Sequence, residues 1–480
     1  MAEAPETQRI GLVEKVGYGL GDTASNLYFQ FFNFFLFYYY TDVAGLDAAA
    51  IGTMYLVANF WDAVNDPVMG AIADRVQTSQ GKYRPFLLWF AVPYGVLGWL
   101  MFANPDLGET GKLAFAYTTF IGFKMVYTAI NVPYSALMGV MTDNDADRVA
   151  LSSFRFLGAF GGGFIVSLLV RPLVEAIGGG DEIVGFQGTM AVFGIASVVL
   201  FLFTWATTRE RVAPLADDGA NVREDLAMLV KNRPWLVMVV AAVFTLAAVA
   251  VRGAVTVHYF KYYVGGSEEA ILTLGDMASP WHLSFDLTTL FLSLGMLAYL
   301  VGVSLTGVVD RFLGKRNGLI VMTLLNSGTV FLFYFIPPEA TVLMFAVNII
   351  GSLFAGPTPA LVWALYADVA DYSEYTHGRR ATGLVFSAAM FAQKMGLTIG
   401  GAASGWLLDA FGFIPNAVQP ASALFGIRLM FSLVPGSLAL ANGLVLLAYP
   451  LSRQDTATMQ AALAARRAAD EAAVQPEPAT

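Results

Sequence analysis

The stretch WDAVNDPVMGAIADRVQTSQGKYRPF, Trp61–Phe86, sets two demands side by side. Its first part is apolar and rich in small residues, yet it holds Asp62, Asn65 and Asp66. Its second part is a tight basic connection carrying Asp74, Arg75, Lys82 and Arg84. Extended upstream to Ala50, the apolar part reaches the ~20 residues that a helix needs to cross a bilayer. Carboxylates at bilayer depth are costly and so mark function. The connection returns later in the chain. TGVVDRFLGKRN, Thr306–Asn317, sets Gly307, Asp310, Arg311, Gly314 and Lys315 in the order of Gly70, Asp74, Arg75, Gly81 and Lys82. A looser pair is VPYSALMGVMTDNDADR, Val132–Arg148, and TPALVWALYADVADYSEYTHGRR, Thr358–Arg380. Matching loops at equivalent places imply two duplicated halves with a site near midplane between them.

Composition agrees with lipid as the main solvent. Of 480 residues 57% are hydrophobic and 13% charged, against about 25% charged in soluble domains, and the mean hydropathy is +0.61. The net charge of -9 comes mostly from loops and tails, and no basic stripe offers itself to nucleic acid. Without cysteine there are no disulfides or thiolate sites, and His258, His282 and His377 are too few to suggest a histidine metal cluster. The polar start MAEAPETQRI runs into an apolar stretch too long for a removable signal, which reads as a first span.

About twelve spans follow. We place them at Val16–Tyr40, Ala50–Ala73, Phe86–Asn104, Leu113–Met141, Ser152–Ile177 and Gly188–Thr207. The second set is Trp235–Tyr263, Leu283–Val309, Asn317–Ile336, Thr341–Ala370, Thr382–Phe411 and Leu424–Tyr449. Lys and Arg gather in the loops after even-numbered spans, which places both termini in the cytoplasm. The chain divides into an N-terminal six-helix half (1–207), a cytoplasmic linker (208–234), a C-terminal six-helix half (235–452) and a cytoplasmic tail (453–480). The Ala-rich tail is expected to be partly helical and to fray.

FYYYTDVAGL, WDAVNDPVMGAIADR, GKYRPF and YADVADYSEYTHGRRATGLVFSAAMFAQKMGL closely resemble the glycoside–pentoside–hexuronide:cation symporters, the family of the melibiose permease. The resemblance spans all twelve helices. It implies an all-α major facilitator fold, with twelve helices in two pseudo-symmetric halves, in a cell (inner) membrane. It also implies Na⁺- or H⁺-driven uptake of a glycoside, pentoside or related sugar by alternating access. No cofactor beyond the coupling ion is expected; the partners are a small-molecule substrate and membrane lipid, and the unit is a monomer.

Offsets of three and four put Asn59, Asp62 and Asp66 on one helical face. Two carboxylates one turn apart repel each other unless something positive lies between them. Na⁺, H⁺ or a lysine would serve. The expected cation set is Asp62 and Asp66 with Asn59, Asn65 and the Thr128 hydroxyl. Lys394, deep in span eleven, is the expected charge partner, and the resemblance has it change partners during the cycle. For substrate the resemblance implies Asp22 and Asn26 of span one, with Lys124, Tyr127, Asn131 and Ser135 of span four and Arg155 of span five, and Trp363 of span ten is expected beside them. The melibiose permease grips its sugar with aspartates and an indole where this chain has Asn26, Asn131 and Ser135. That difference points away from a galactoside disaccharide, and Arg155 or Lys124 could supply the cation a hexuronide needs. Asp74, Arg75, Asp310 and Arg311 are expected to gate the cytoplasmic side. Arg252, His258 and Lys261 of span seven divide evenly between function and snorkelling at the surface.

Other classes fit less well. No GxxxxGK[ST] phosphate loop supports ATP-driven transport. An intramembrane aspartyl hydrolase would need its acids on facing helices, whereas Asp62 and Asp66 share one. A transporter of amphiphilic, lysolipid-like substrates on the same fold is the nearer alternative.

Overall fold

The structure is a computed structural model that describes residues 9–142, 144–212, 229–265, 270–274, 283–377 and 382–474. The first half comprises helices Leu12–Phe31, Ala48–Arg75, Arg84–Leu100, Glu109–Met141, Asp145–Gly178 and Glu182–Thr207. Two short π-helical turns, Phe32–Leu36 and Tyr39–Val43, carry span one beyond the expected Tyr40. The second half begins with Arg233–His258, prolonged by the π-turn Tyr259–Val264, and continues with Leu287–Ser304 and a short helix Thr306–Leu313. Lys315–Leu332, the pair Thr341–Ala355 and Thr358–His377, Thr382–Ala410, and the pair Ala421–Phe431 and Leu433–Leu447 complete it. The helix starts are fixed by side chains that accept orphan N–H groups. Asp47 accepts from Ala50, Asn232 from Trp235 and Asp286 from Thr289.

Three local differences from the sequence reading have backbone causes. Span ten is broken at Gly356–Pro357 and span twelve at Ser432, three residues before Pro435. Proline lacks the N–H for the helical ladder and its ring crowds the preceding turn. Span eight was expected from Leu283. Instead Leu283–Phe285 (β2) pairs antiparallel with Leu272–Leu274 (β1), and the helix begins after the Asp286 cap. Among the described residues the only β-sheet is this two-stranded pair. The tail is helical from Arg453 to Val474 and buries Met459 and Leu463; its last six residues lie outside the described set, as do Arg223, Arg379 and Arg380 of the basic loops.

Among the described residues seven helices are long and apolar enough by themselves to cross a membrane: spans four to eight, ten and twelve. Span three is short, at 17 residues. Spans one, two, nine and eleven are diluted by polar residues, among them Asp22, Asp62, Asp66, Asn326 and Lys394. These are the side chains from which the interior sites below are built.

The duplication is visible in three dimensions. Arg84 donates to the carbonyl of Trp205 near the end of span six at 2.8 Å, and Arg316 donates to that of Leu447 at the end of span twelve at 3.0 Å. In each half an arginine just after the Gly-Lys step thus ties the start of the third helix to the end of the sixth.

We call the end of the bundle where span one begins and span twelve finishes the near face, and the opposite end the far face. Spans two and eleven run antiparallel and touch backbone to backbone where a Cβ on Gly52 would come within 2.6 Å of the Ala402 carbonyl. Their contacts pass from Gly52 and Gly405 through Tyr55 and Gly401 to Asp66 and Lys394. Spans five and eight meet from Arg171 and Asp286 through Gly163 and Met296 to Phe160 and Tyr299. The joint between the halves therefore lies along the far-face side of the bundle.

Candidate functional site

Helix geometry brings Asp62 opposite Lys394. Ten residues separate Gly52 from Asp62 and eleven separate Lys394 from Gly405, about 15 and 16 Å at the helical rise of 1.5 Å per residue. With the two glycines in contact, the antiparallel register sets the carboxylate and the ammonium at one level. Lys394 Nζ lies 3.1 Å from Asp62 Oδ2 and also pairs with Asp66 Oδ2. On the other side the Thr128 hydroxyl faces Asp62 Oδ1 at 2.8 Å and Asp66 Oδ1 at 2.9 Å. A hydroxyl has one proton, so it donates to one carboxylate at a time. The ammonium and the hydroxyl thus bridge the same two acids from opposite sides.

Lys124, expected with the substrate residues, also belongs to this group: its Nζ is 3.7 Å from Asp62 Oδ2 and lies over the rings of Phe120 and Tyr127. Two acids and two lysines make a neutral cluster, with the Asp62 side chain only 4% exposed. Neutrality matters here because removing one partner of a buried pair typically costs 3–5 kcal/mol. Asn59 lines a small cavity beside Lys124. No hydrogen bond from the Asn59 or Asn65 side chain is seen among the described residues. Hard oxygens from Asp62, Asp66 and Thr128 converge as an alkali cation would need, and Lys394 competes for the same atoms.

A second group sits where spans one and five touch. There a Cβ on Gly158 would fall 2.0 Å from the Gly19 carbonyl, so only glycine permits the approach. Arg155 Nε donates to Asp22 Oδ2 at 2.9 Å, its Nη2 donates to Ser135 Oγ at 3.2 Å, and the guanidinium covers the Tyr134 ring. Asn131 accepts from Ser25 at 2.6 Å and donates to the Tyr127 carbonyl, while Asn26 donates to the Asp22 carbonyl. Six of the eight expected substrate residues therefore gather at spans one, four and five; Lys124 faces Asp62. Trp363 does not join them. It stacks on Phe386 and meets Tyr366 edge-on in the packing of the second half.

At the near face Asp74 accepts from Tyr83 at 3.0 Å and pairs with Lys82 at 2.9 Å. In the second half Lys315 pairs instead with Asp368 of span ten at 2.8 Å. Arg75 and Arg311 are exposed, and no bond from either is seen among the described residues. The element common to both halves is the Arg84/Arg316 tie rather than the Asp-Arg pair itself.

Sequence reasoning missed a cluster at the far face. Asp42 is buried at the end of span one and faces His258 Nε2 at 3.0 Å and Lys261 Nζ at 3.2 Å, with a hydrogen bond from Tyr262. Lys261 donates onward to Asn416 at 2.7 Å. Nearby, Arg171 links Glu182 of its own half to Asp286 of the other, each at 3.0 Å. The available signal was a surplus of cations on span seven with no acid in the same segment. Asp42 lay in a stretch read as loop.

Arg252 is a different case. It lies over the rings of Phe333 and Phe431, 4.7 and 4.8 Å from their centroids. Its Nη2 is buried without a hydrogen-bond partner. A desolvated cation–π contact contributes about 2 kcal/mol, against several kcal/mol for taking an ion out of water. The rings soften that cost but accept no hydrogen bond, and a buried unsatisfied donor calls for an explanation.

The chain matches the family described as MFS/sugar transport protein over residues 17–453. It is 37% identical to the putative glycoside/cation symporter YagG of Escherichia coli (strain K12), over 98% of this chain and 99% of that protein. It is 32% identical to the isoprimeverose transporter of Lactiplantibacillus pentosus, covering 88% and 85% of the two chains. Among solved structures, a D-xylose-proton symporter superposes with a TM-score of 0.63 at 14% identity, over 91% of this chain and 96% of that one, a likeness of fold.

Proposed function

From the fact that this chain belongs to the glycoside–pentoside–hexuronide:cation symporters of the major facilitator superfamily, we propose that it takes up a glycoside, pentoside or related sugar against its gradient, with Asp62 and Asp66 carrying the coupling Na⁺ or H⁺. The protein is a multi-pass membrane transporter and not an enzyme. One observation carries the assignment of the cation site: Lys394 of the second half is shared between two carboxylates of the first. A cation that binds Asp62 and Asp66 must take the place of the ammonium, which frees spans two and eleven from their midplane tie. Cation binding and the relative position of the halves are thereby the same event, as coupling requires.

The substrate would sit at Asp22, Asn26, Asn131, Ser135 and Arg155, one to two turns further along the same face of span four that carries Thr128. Thr128 of the cation group and Asn131 of the substrate group are one turn apart, so occupancy of one site reaches the other through a single helix. With the halves joined along the far-face side, this conformation exchanges substrate at the near face. We take the near face as cytoplasmic from the placement of Lys and Arg. The test is uptake of radiolabelled methyl xyloside and methyl glucoside into proteoliposomes under an imposed Na⁺ or pH gradient. Accumulation of unmodified sugar above the external level is expected with one of the two gradients. Equilibration alone, indifferent to both, would sink the proposal.

A further inference from the structure

Building on that sugar-symport reading, we propose that Arg252 forms a second recognition point, an oxyanion subsite that takes a carboxylate or sulfonate carried by the transported sugar. The case begins with which interior charges are already matched. Arg155 is engaged by Asp22, and Lys124 and Lys394 by Asp62 and Asp66. The two cations that the sequence offers to an acidic sugar are therefore neutralised by the protein's own acids. Arg252 has neither an acid nor a hydrogen bond at its guanidinium among the described residues, and its Nη2 is buried and unpartnered. It faces a cavity of about 330 Å³, lined on its other walls by Gln30 and Asn33 of span one and by Asn326 and Thr329 of span nine.

The chemistry of the lining selects the ligand. A guanidinium presents paired N–H donors that match an oxyanion in plane, and the bond is strengthened by charge on both sides. No side-chain hydrogen bond of Gln30 or Asn326 is seen among the described residues, so their amides are available to donate to the remaining oxygen lone pairs. A sugar hydroxyl would leave the arginine charge uncompensated, and a cation would be repelled. Span one leads from one site to the other, since Asp22, Asn26 and Gln30 follow one another at helical spacing on a single face. One ligand can thus lie along span one with its hydroxyls toward Asp22 and Arg155 and its acidic group toward Arg252.

The test uses the purified full-length protein and its thermal stabilisation by methyl β-glucuronide, methyl β-glucoside and choline chloride, in the parent, Arg252→Gln and Arg252→Lys. The expected result is that the ratio of glucuronide to glucoside affinity falls tenfold or more in R252Q and less in R252K. If R252Q gives no folded protein, Asn326→Ala, beside it, lowers the same ratio. An unchanged ratio in R252Q and N326A overturns the subsite. So does stabilisation by chloride alone that matches the glucuronide, because the occupant is then an inorganic anion. A parent that binds the glucoside but not the glucuronide overturns the subsite alone, whereas one that binds neither overturns the sugar reading as well.

Discussion

Lys394 Nζ lies 3.1 Å from Asp62 Oδ2, an ion pair that crosses between the two halves of the bundle at mid-depth. A residue that ties the halves together through the atoms a cation would use makes a specific demand on both acids. Replacing either by asparagine keeps size and helix but removes a charge. Asp62→Asn and Asp66→Asn should each abolish gradient-driven accumulation while leaving exchange of labelled for unlabelled sugar across vesicles. Asp62 is also paired with Lys124 and is the more buried, so its variant should lose thermal stability as well. Uphill uptake at parental levels in both variants would place the cation site elsewhere.

Removing the ammonium tests the competition directly. Lys394→Met leaves Asp62 and Asp66 with Lys124 alone, an uncompensated charge that should cost about 3 kcal/mol of stability. Na⁺, free to occupy the same oxygens, should then restore stability by mass action. Melting temperature measured against Na⁺ concentration should rise more steeply in K394M than in the parent. The double variant K394M/D66N should recover stability without Na⁺ and lose the steep dependence. Equal Na⁺ dependence in all three would separate the lysine from the cation site.

The charges of the proposed cation site were legible because each stands out against an apolar helix: Asp62, Asp66 and Lys394 have no solvent to explain them. Their meeting was legible through the resemblance, and the structure supplies its physical cause in the Gly52–Gly405 contact. Asp42 was missed for a different reason. It follows the apolar run of span one by two residues, and hydropathy cannot show that π-turns carry the helix on to Val43. The breaks at Gly356–Pro357 and Ser432 escaped likewise, since hydropathy counts side chains and is blind to the backbone bond a proline removes. Trp363 was chosen as an aromatic near the cavity, but its depth and rotation on span ten depend on the first of those breaks.

Near the loop after span two, the Asp74–Lys82 pair predicts a plateau with pH. The hydrogen bond from Lys82, with one from Tyr83, holds the Asp74 carboxyl below its usual range against a smaller opposing effect of burial. Burial pulls Lys82 down, but its bonds to Asp74 and Tyr83 outweigh that and raise it. The contribution of Asp74 is therefore present above the ordinary carboxylate pKa and fades as pH falls through the lowered one. That of Lys82 is present below the ordinary amine pKa and is lost as pH rises through the raised one. With reference values of about 3.9 and 10.4, any bracing by this pair should be flat between roughly pH 5 and 9. Transport rate in Asp74→Asn relative to the parent should be reduced by a constant factor across that range, with substrate affinity little changed. A factor that varies across it would assign the effect to another titrating group.

The far-face cluster should set how readily the protein opens to that side. Among the described residues Asp42 is the one acid in contact with His258, Lys261 and Tyr262, so Asp42→Asn removes the charge that three groups of span seven converge on. The remaining lysine would then lack its counter-charge in the closed arrangement and gain water by separation of the halves. Opening should be favoured by about 1 kcal/mol or more, several-fold in population, since a hydrogen bond to a charged group contributes about 1.5–3 kcal/mol. The chain contains no cysteine, so a single reporter can be placed without background. Ala250→Cys puts a thiol on the wall of the cavity beside Phe32 and Lys124. Labelling of A250C by a membrane-impermeant maleimide added on the far side should be several-fold faster with D42N than without it. Labelling from the near side should slow in the same proportion, because the two openings exclude each other in alternating access. If both sides label faster, the substitution has loosened the bundle as a whole, and the cluster is a structural brace rather than a gate.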